Sequence, residues 1–309
     1  MSILLFPGQG AQRVGMGRDL AEAFAPARAT FEAIDAALDQ PITPVMWEGP
    51  EELLQRTEYA QPAILAHSAA VLATVGDRLG LVQGAAGHSL GEYSAYVAAG
   101  TFSATAAARL VRTRGRLMSE AGARRPGAMA AVLGLPSAEV ERICRDSTGN
   151  GDPGMVVAAN LNTADQTVIS GDPAAVIRAG EACKAAGAKR VQPLKVSGAF
   201  HSPLMAPAAL GLRAVLDRAD CGEPRFPVVA NATAEPVRTA RDARRLLIEQ
   251  LTAPVRWVDC VHRLAELAPG AGYVEIGPGT VLGGLLKRIL PEPEYLSLGT
   301  AKEVERFLA

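Results

Sequence analysis

A serine bracketed by two glycines offers the first chemistry in this sequence, because Gly87-His88-Ser89-Leu90-Gly91 fits the spacing G-x-S-x-G. In that spacing a serine occupies a strained turn between a strand and a helix. The glycines leave room where a Cβ would collide, and the turn pushes the hydroxyl outward as a nucleophile. A glycine-bracketed turn without function gives the same pattern by chance. Here Gly84–Gly87 reads as strand and Leu90–Ala99 as helix, which favours the nucleophile. The helix would aim free N–H groups at the same point, so the N–H of Leu90 can help hold a developing oxyanion.

A serine needs a base. His88 adjoins it, but on a sharp elbow neighbouring side chains point apart. His67 and His262 fall within helical segments, where a satisfied histidine is the plain expectation. His201 lies in the loop Gly198-Ala199-Phe200-His201-Ser202-Pro203, and loops at unit junctions line clefts. It is the candidate base, with an ordinary turn histidine as the alternative.

Arg114 is the third candidate. Leu110, Val111, Leu117, Met118 and Ala121 form one apolar face of a helix over Ala104–Ala121, and Arg114 falls in the middle of that face. An inward guanidinium without a partner costs several kcal/mol. Either an internal carboxylate meets it or its planar fork awaits an anionic ligand.

Strands alternate with helices around these residues. Ile3–Phe6 reads as a buried strand ending at Pro7-Gly8-Gln9-Gly10, with helical periodicity over 18–38 and from Pro62 to Leu79. The stretch 127–196 changes rhythm. Ala128–Leu133, Met155–Ala159, Gln166–Ser170 and Arg190–Val196 read as strands, with Ala138–Arg145 and Pro173–Ala186 as helices. This β-α-β-β-α-β order is the ferredoxin-like pattern. It is bounded by the loops Arg124-Arg125-Pro126 and Ser197-Gly198. Residues 1–126 and 197–309 thus read as one large α/β unit with a mostly parallel sheet, and 127–196 as a small inserted unit. After it come helical signals near 206–218, 240–250 and 255–267, strands at Pro227–Ala230 and Tyr273–Ile276, and a helix to about Ile289.

Composition narrows the functions. The chain has 309 residues, 49% hydrophobic and 20% charged, and its 31 basic residues nearly cancel 32 acidic ones. No global field draws it to nucleic acid or a membrane, so an anionic ligand must be met by a local arginine. The four scattered cysteines form no CxxC pair, which argues against zinc or a disulfide framework and suits a reducing cytoplasm. The four scattered histidines argue against a metal centre. The apolar start, Met1 to Phe6, lacks a basic flank and stops at Pro7, so it reads as a strand and not a leader. No stretch approaches the roughly 20 apolar residues of a membrane span. Neither Gly8-Gln9-Gly10 nor Gly277-Pro278-Gly279 completes a phosphate-binding loop.

With these residues assembled, the chain resembles the malonyl-CoA:acyl carrier protein transacylases of fatty-acid synthesis and the related acyltransferases of polyketide synthesis. The resemblance runs through Phe6-Pro7-Gly8-Gln9-Gly10, Thr57 to Pro62 with Gln61, Gly87 to Ser94, and Arg114-Gly115-Arg116-Leu117-Met118. It continues through Gly127 to Ala131, Asn160-Leu161-Asn162, Ala199-Phe200-His201-Ser202, Gln250 with Pro254 to Trp257, and Glu275 to Gly279. It implies an α/β-hydrolase-like large domain, a ferredoxin-like small domain and a site between them. Ser89 would be the nucleophile, His201 its base and acid, and Arg114 the seat of the malonyl carboxylate. The backbone N–H groups of Gln9 and Leu90 would form the oxyanion hole, and Gln61, Met118 and Phe200 would line the acyl pocket. A phenylalanine before the histidine goes with malonyl over methylmalonyl in the resembling polyketide enzymes. A main-chain carbonyl at Gln250 would orient the histidine, making a Ser–His dyad.

The implied reaction takes malonyl-CoA to an acyl carrier protein, releases coenzyme A, and uses no metal or other cofactor. A cytoplasmic monomer is expected. An acyl hydrolase with the same dyad and a non-catalytic carrier-docking module are the rivals. Carrier proteins in such systems present acidic helices, so Arg124, Arg125, Lys189, Arg190 and Lys195 are expected as a basic rim near the unit junction, with ordinary solvated charges as the alternative.

Overall fold

The computed structural model describes residues 1–148, 154–196 and 198–309. Ser197, where the sequence reading returns to the larger unit, lies outside the described residues. The strands are β1 (Ser2–Phe6), β2 (Val82–Gly87), β3 (Ala128–Leu133), β4 (Val156–Thr163), β5 (Gln166–Gly171), β6 (Arg190–Pro193), β7 (Val228–Val229), β8 (Pro236–Val237), β9 (Gly272–Ile276) and β10 (Tyr295–Leu298). They form two sheets, ordered β10-β9-β1-β2-β7-β8 and β4-β5-β3-β6.

The six-stranded sheet is parallel except for β8, which turns back antiparallel on β7. β1 lies inside it and is buried along its whole length, as a run without polar alternation requires of a strand covered on both faces. Leu4 and Phe6 face Phe31, Ile64 and Val111 from the helices Ala25–Ala37, Thr57–Val75 and Ala104–Arg124. Ile3 and Leu5 face the other way, onto Val261, Leu264 and Leu286 of Trp257–Leu267 and Val281–Ile289. In register, Phe6 of β1 stands beside Gly87 of β2, so the loops that follow both strands emerge together at the carboxyl end of the sheet. That end is where open parallel sheets hold their ligands.

The four-stranded sheet is antiparallel, with β3 flanked by β5 and β6 and with β4 beyond β5. This is the connectivity of the ferredoxin-like pattern. Its helices Ser137–Asp146 and Pro173–Ala185 bury Val140, Ile143, Val176 and Ala179 against Val132 and Ile169. The small sheet is tied to the large unit by backbone: Val255 N–H donates to Ala159 O at 2.8 Å, and Leu161 N–H donates to Val255 O at 2.8 Å. Arg288 adds an ion pair to Asp165 at 2.6 Å and a bond to Gln166 Oε1 at 2.7 Å.

Two proline positions account for differences from the sequence reading. The helical stretch over 18–38 is divided into Arg18–Ala23 and Ala25–Ala37, with Phe24 extended between them and Pro26 in the second helix's first turn. Arg28 donates to the freed carbonyls of Ala21 and Glu22 at 3.0 and 3.3 Å, capping the first helix. The next helix begins at Thr57 and carries Pro62 inside it, where the sequence suggested a start at Pro62. Proline cannot donate to Glu58 O, one turn back. Arg112 Nη1 donates to that oxygen instead at 3.0 Å, with its guanidinium 4.3 Å above the Tyr59 ring. β8, β10 and the short helices Thr43–Glu48, Glu51–Leu54 and Ala301–Leu308 went unread in the sequence. Among the described residues no helix is long and apolar enough to cross a membrane.

Candidate active site

Ser89 sits on the turn between β2 and the helix Gly91–Ala98 with φ 52°, a left-handed conformation that a non-glycine residue seldom adopts. A Cβ at Gly87 would stand 1.9 Å from the Gly91 carbonyl carbon, and one at Gly91 would stand 2.1 Å from Phe6 O. Both flanking positions therefore admit only glycine, which is the physical content of the G-x-S-x-G spacing. Asn231, just after β7, holds the turn: its Oδ1 accepts from Ser89 N–H at 2.7 Å and its Nδ2 donates to Gly87 O at 2.8 Å.

His201 also has a positive φ, 56°, and is almost wholly buried. Its Nδ1 faces the main-chain oxygen of Gln250 at 2.9 Å, and its Nε2 faces Ser89 Oγ at 2.7 Å. A carbonyl oxygen only accepts, so Nδ1 carries the proton and Nε2 offers its lone pair to the serine hydroxyl. Burial first, then the nearby Arg114 charge, lowers the His201 pKa to about 3. The imidazole is thus neutral and able to accept a proton throughout the physiological range.

Arg114 is fully buried. Nη1 donates to Gln61 Oε1 at 2.8 Å, while Nη2 donates to Gln250 Oε1 at 2.8 Å and Ser89 Oγ at 3.1 Å. Among the described residues no carboxylate lies within ion-pair distance of it; the buried Glu92 acts on it from farther away, and Gln250 bonds to both. Neutral oxygens hold the fork beside the serine, and desolvation lowers its pKa from the ordinary arginine value. Gln61 Nε2 reaches Met118 Sδ at 3.4 Å, which joins those two residues to the same corner.

A cleft of about 520 Å³ opens over this group. Gln9, Leu90, Arg114 and His201 line it from the large unit, Met129 and Asn160 from the small sheet, and Leu194, Lys195 and Val196 from the segment after β6. Phe200, buried, also lines it, in the chain just past the junction of the two units. The backbone N–H groups of Gln9 and Leu90 have no protein acceptor among the described residues. Two free donors in the same cleft as the Ser89 hydroxyl suit an oxygen that gains charge.

His88 turns away from the hydroxyl, with Nε2 2.9 Å from Asn162 Oδ1 and its ring 5.5 Å from that of Trp257. His67 and His262 lie in the helices Thr57–Val75 and Trp257–Leu267, outside the cleft lining. The basic rim divides. Lys195 lines the cleft, and Arg124 is exposed at the junction. Arg125 is engaged by Asp172, with bonds of 2.9 and 3.0 Å from Nη2. Because β6 runs antiparallel to β3, Arg190 pairs opposite Leu133 at the end of the sheet away from the junction, not beside it. Lys189 lies there too, against Gly134.

Sequence reasoning assigned no role to Asn231, Asn162 or Glu92. Glu92 lies on the first turn of the helix after the elbow, fully buried, and burial raises its pKa to about 7. Its position just after G-x-S-x-G was the only signal available.

The acyl transferase domain family matches residues 3–305. The chain belongs to this family. It is 41% identical over 302 residues to the malonyl CoA-acyl carrier protein transacylase of Bacillus subtilis, covering 97% of this chain and 94% of that protein. Against the Escherichia coli K12 protein of the same name it is 42% identical over 289 residues, with 93% and 92% covered. Among solved structures, the acyl-carrier-protein-S-malonyltransferase of Bartonella henselae superposes with a TM-score of 0.92 at 42% identity, covering 99% of this chain and 98% of that one. A malonyl-transacylase in complex with its type II PKS acyl-carrier protein gives 0.93 at 41% identity, with 99% and 98% covered. The family thus extends over both sheets and the cleft between them.

Proposed function

We propose that this acyltransferase moves a malonyl group from malonyl-CoA to the phosphopantetheine thiol of an acyl carrier protein, through an ester on Ser89, in the cytoplasm. One observation carries the reading. Ser89 Oγ lies 2.7 Å from the unprotonated nitrogen of a neutral His201 and 3.1 Å from the fork of an arginine whose hydrogen-bond partners among the described residues are all neutral. A base and a carboxylate receptor thus converge on one hydroxyl.

In this reading the malonyl carboxylate is met by the Arg114 fork, which gains a charged partner in two-pronged fashion while its neutral partners hold it in place. His201 Nε2 takes the Ser89 proton as Oγ attacks the thioester carbon. The oxyanion receives the N–H groups of Gln9 and Leu90. Collapse breaks the C–S bond, and the proton on Nε2 goes to the departing coenzyme A sulfur. The carrier thiol then enters, gives its proton to His201 and attacks the serine ester. Ser89 leaves and regains the proton. One thioester replaces another of similar energy, so no cofactor is required.

Intact-mass analysis after exposure to malonyl-CoA tests this. A malonyl adduct is expected on the native protein and none on Ser89→Ala, and carrier protein should discharge the adduct much faster than buffer does. An adduct on Ser89→Ala would refute the nucleophile. Discharge unaffected by carrier protein would make the chain a hydrolase.

A further inference from the structure

Beneath the hydroxyl lies a carboxylate that the proposed chemistry does not use. Glu92 Oε2 accepts from Gln250 Nε2 at 2.8 Å and from Asn231 N–H at 2.9 Å. Its other oxygen is buried without a partner. The two residues it holds are the two that shape the site. Asn231 fixes both ends of the elbow turn, and Gln250 touches three members of the site at once. The Gln250 main-chain oxygen meets His201 Nδ1 at 2.9 Å, its Oε1 accepts from Arg114 at 2.8 Å, and its Nε2 also donates to Ser89 O at 2.9 Å.

An amide has one accepting end and one donating end. The nitrogen of Gln250 is committed to Glu92 Oε2 and Ser89 O, both acceptors, and that commitment turns Oε1 toward the guanidinium. We propose that Glu92 is a positioning residue for the transfer reaction: through the Gln250 amide it sets the direction of the Arg114 fork and anchors the residue whose carbonyl orients His201. The proposal rests on the Ser89 reading above. It explains why a carboxylate is retained in a place where burial disfavours its charge. A hydrophobic residue of the same volume would cover the elbow equally well but would leave Asn231 N–H unpaired and Gln250 Nε2 short of an acceptor.

The test compares Glu92→Gln, which still offers an oxygen at the Oε2 position, with Glu92→Leu, which offers none. Self-acylation is followed by quenched intact mass with malonyl-CoA and with acetyl-CoA, beside a melting curve for each protein. Misplacement of a reacting group by about 1 Å costs on the order of 100-fold, so Glu92→Leu should slow malonyl transfer by about that factor, with Glu92→Gln within about threefold of the native rate. In the leucine variant the malonyl-to-acetyl ratio of kcat/KM should also fall, because acetyl has no carboxylate to misplace. The KM for malonyl-CoA should rise while that for acetyl-CoA does not. A folded Glu92→Leu protein with native rate and ratio would overturn the proposal, as would a glutamine variant as impaired as the leucine one. Should the leucine variant not melt cooperatively, Glu92→Asp decides by the same ratio, since it withdraws the carboxylate by one methylene. If the native protein takes up no acyl group, the Ser89 reading falls, and this proposal with it.

Discussion

Arg114 and Gln61, helix residues on the wall of the cleft that the large unit supplies, are wholly buried, as is Gln250, and Arg114 ties the three together by hydrogen bonds of 2.8 Å. The opposite wall, from the small unit, is built of Met129 and Asn160 of its sheet and of Leu194, the exposed Lys195 and Val196 just past β6. Polar groups withdrawn from water must be satisfied, and once satisfied they are rigid. Apolar side chains define a volume and tolerate change in it. One wall is therefore suited to reaction and the other to fit and approach, with Phe200 at the seam.

The largest expected effect is on the first wall. Arg114→Ala should lower malonyl transfer by roughly two to four orders of magnitude, as expected when one partner of a buried charged pair is removed at about 3–5 kcal/mol. Acetyl transfer should be spared, and lysine should replace arginine poorly because it lacks the planar fork. Rates with both acyl-CoAs and a melting curve check this. Equal loss for both substrates together with a lower Tm would mean that the arginine serves the fold alone. A smaller effect is expected at the seam. Phe200→Ser opens space for an α-methyl group and should shift the methylmalonyl-to-malonyl ratio of kcat/KM by about 10- to 200-fold at most, corresponding to about 1–3 kcal/mol. An unchanged ratio would move selection to other residues of the pocket. The smallest belongs to the rim. Lys195→Glu should raise the KM for carrier protein by at most about fivefold, the scale of an exposed charge pair, and more than it slows self-acylation. Arg190→Glu, at the far end of β6, should raise it less. Added salt should erase the difference. Equal effects of both substitutions would mean that the carrier contacts the whole small sheet.

Legibility in the sequence followed the range of the interactions. The elbow is a five-residue pattern readable by its spacing, although only Gly87 answers to a local contact and Gly91 answers to Phe6 of β1; Arg114 stood out because a charge broke an apolar helical stripe. The order of strands and helices in 127–196 was sufficient for its topology. What could not be read was contact between distant residues. Asn231 reaches Ser89 across 142 positions, and Gln250 reaches Glu92 across 158. No periodicity records such pairs. The rim was misread for a related reason. Proximity to the junction in sequence placed Arg190 beside it, whereas an antiparallel strand carries its first residue to the opposite end. The helix start at Thr57 was hidden because the carbonyl freed by Pro62 is satisfied by Arg112, from another helix.

The backbone tie between β4 and Val255 has a consequence for the cleft beside it. Ala159 and Leu161 bracket Val255 with two bonds of 2.8 Å, only five residues beyond the glutamine that holds the histidine. Spreading the two units at this point would unpair main-chain groups, so the tie resists any opening of the cleft next to His201. Under the proposed function, coenzyme A and the carrier arm would both have to fit a cleft stitched together at that edge.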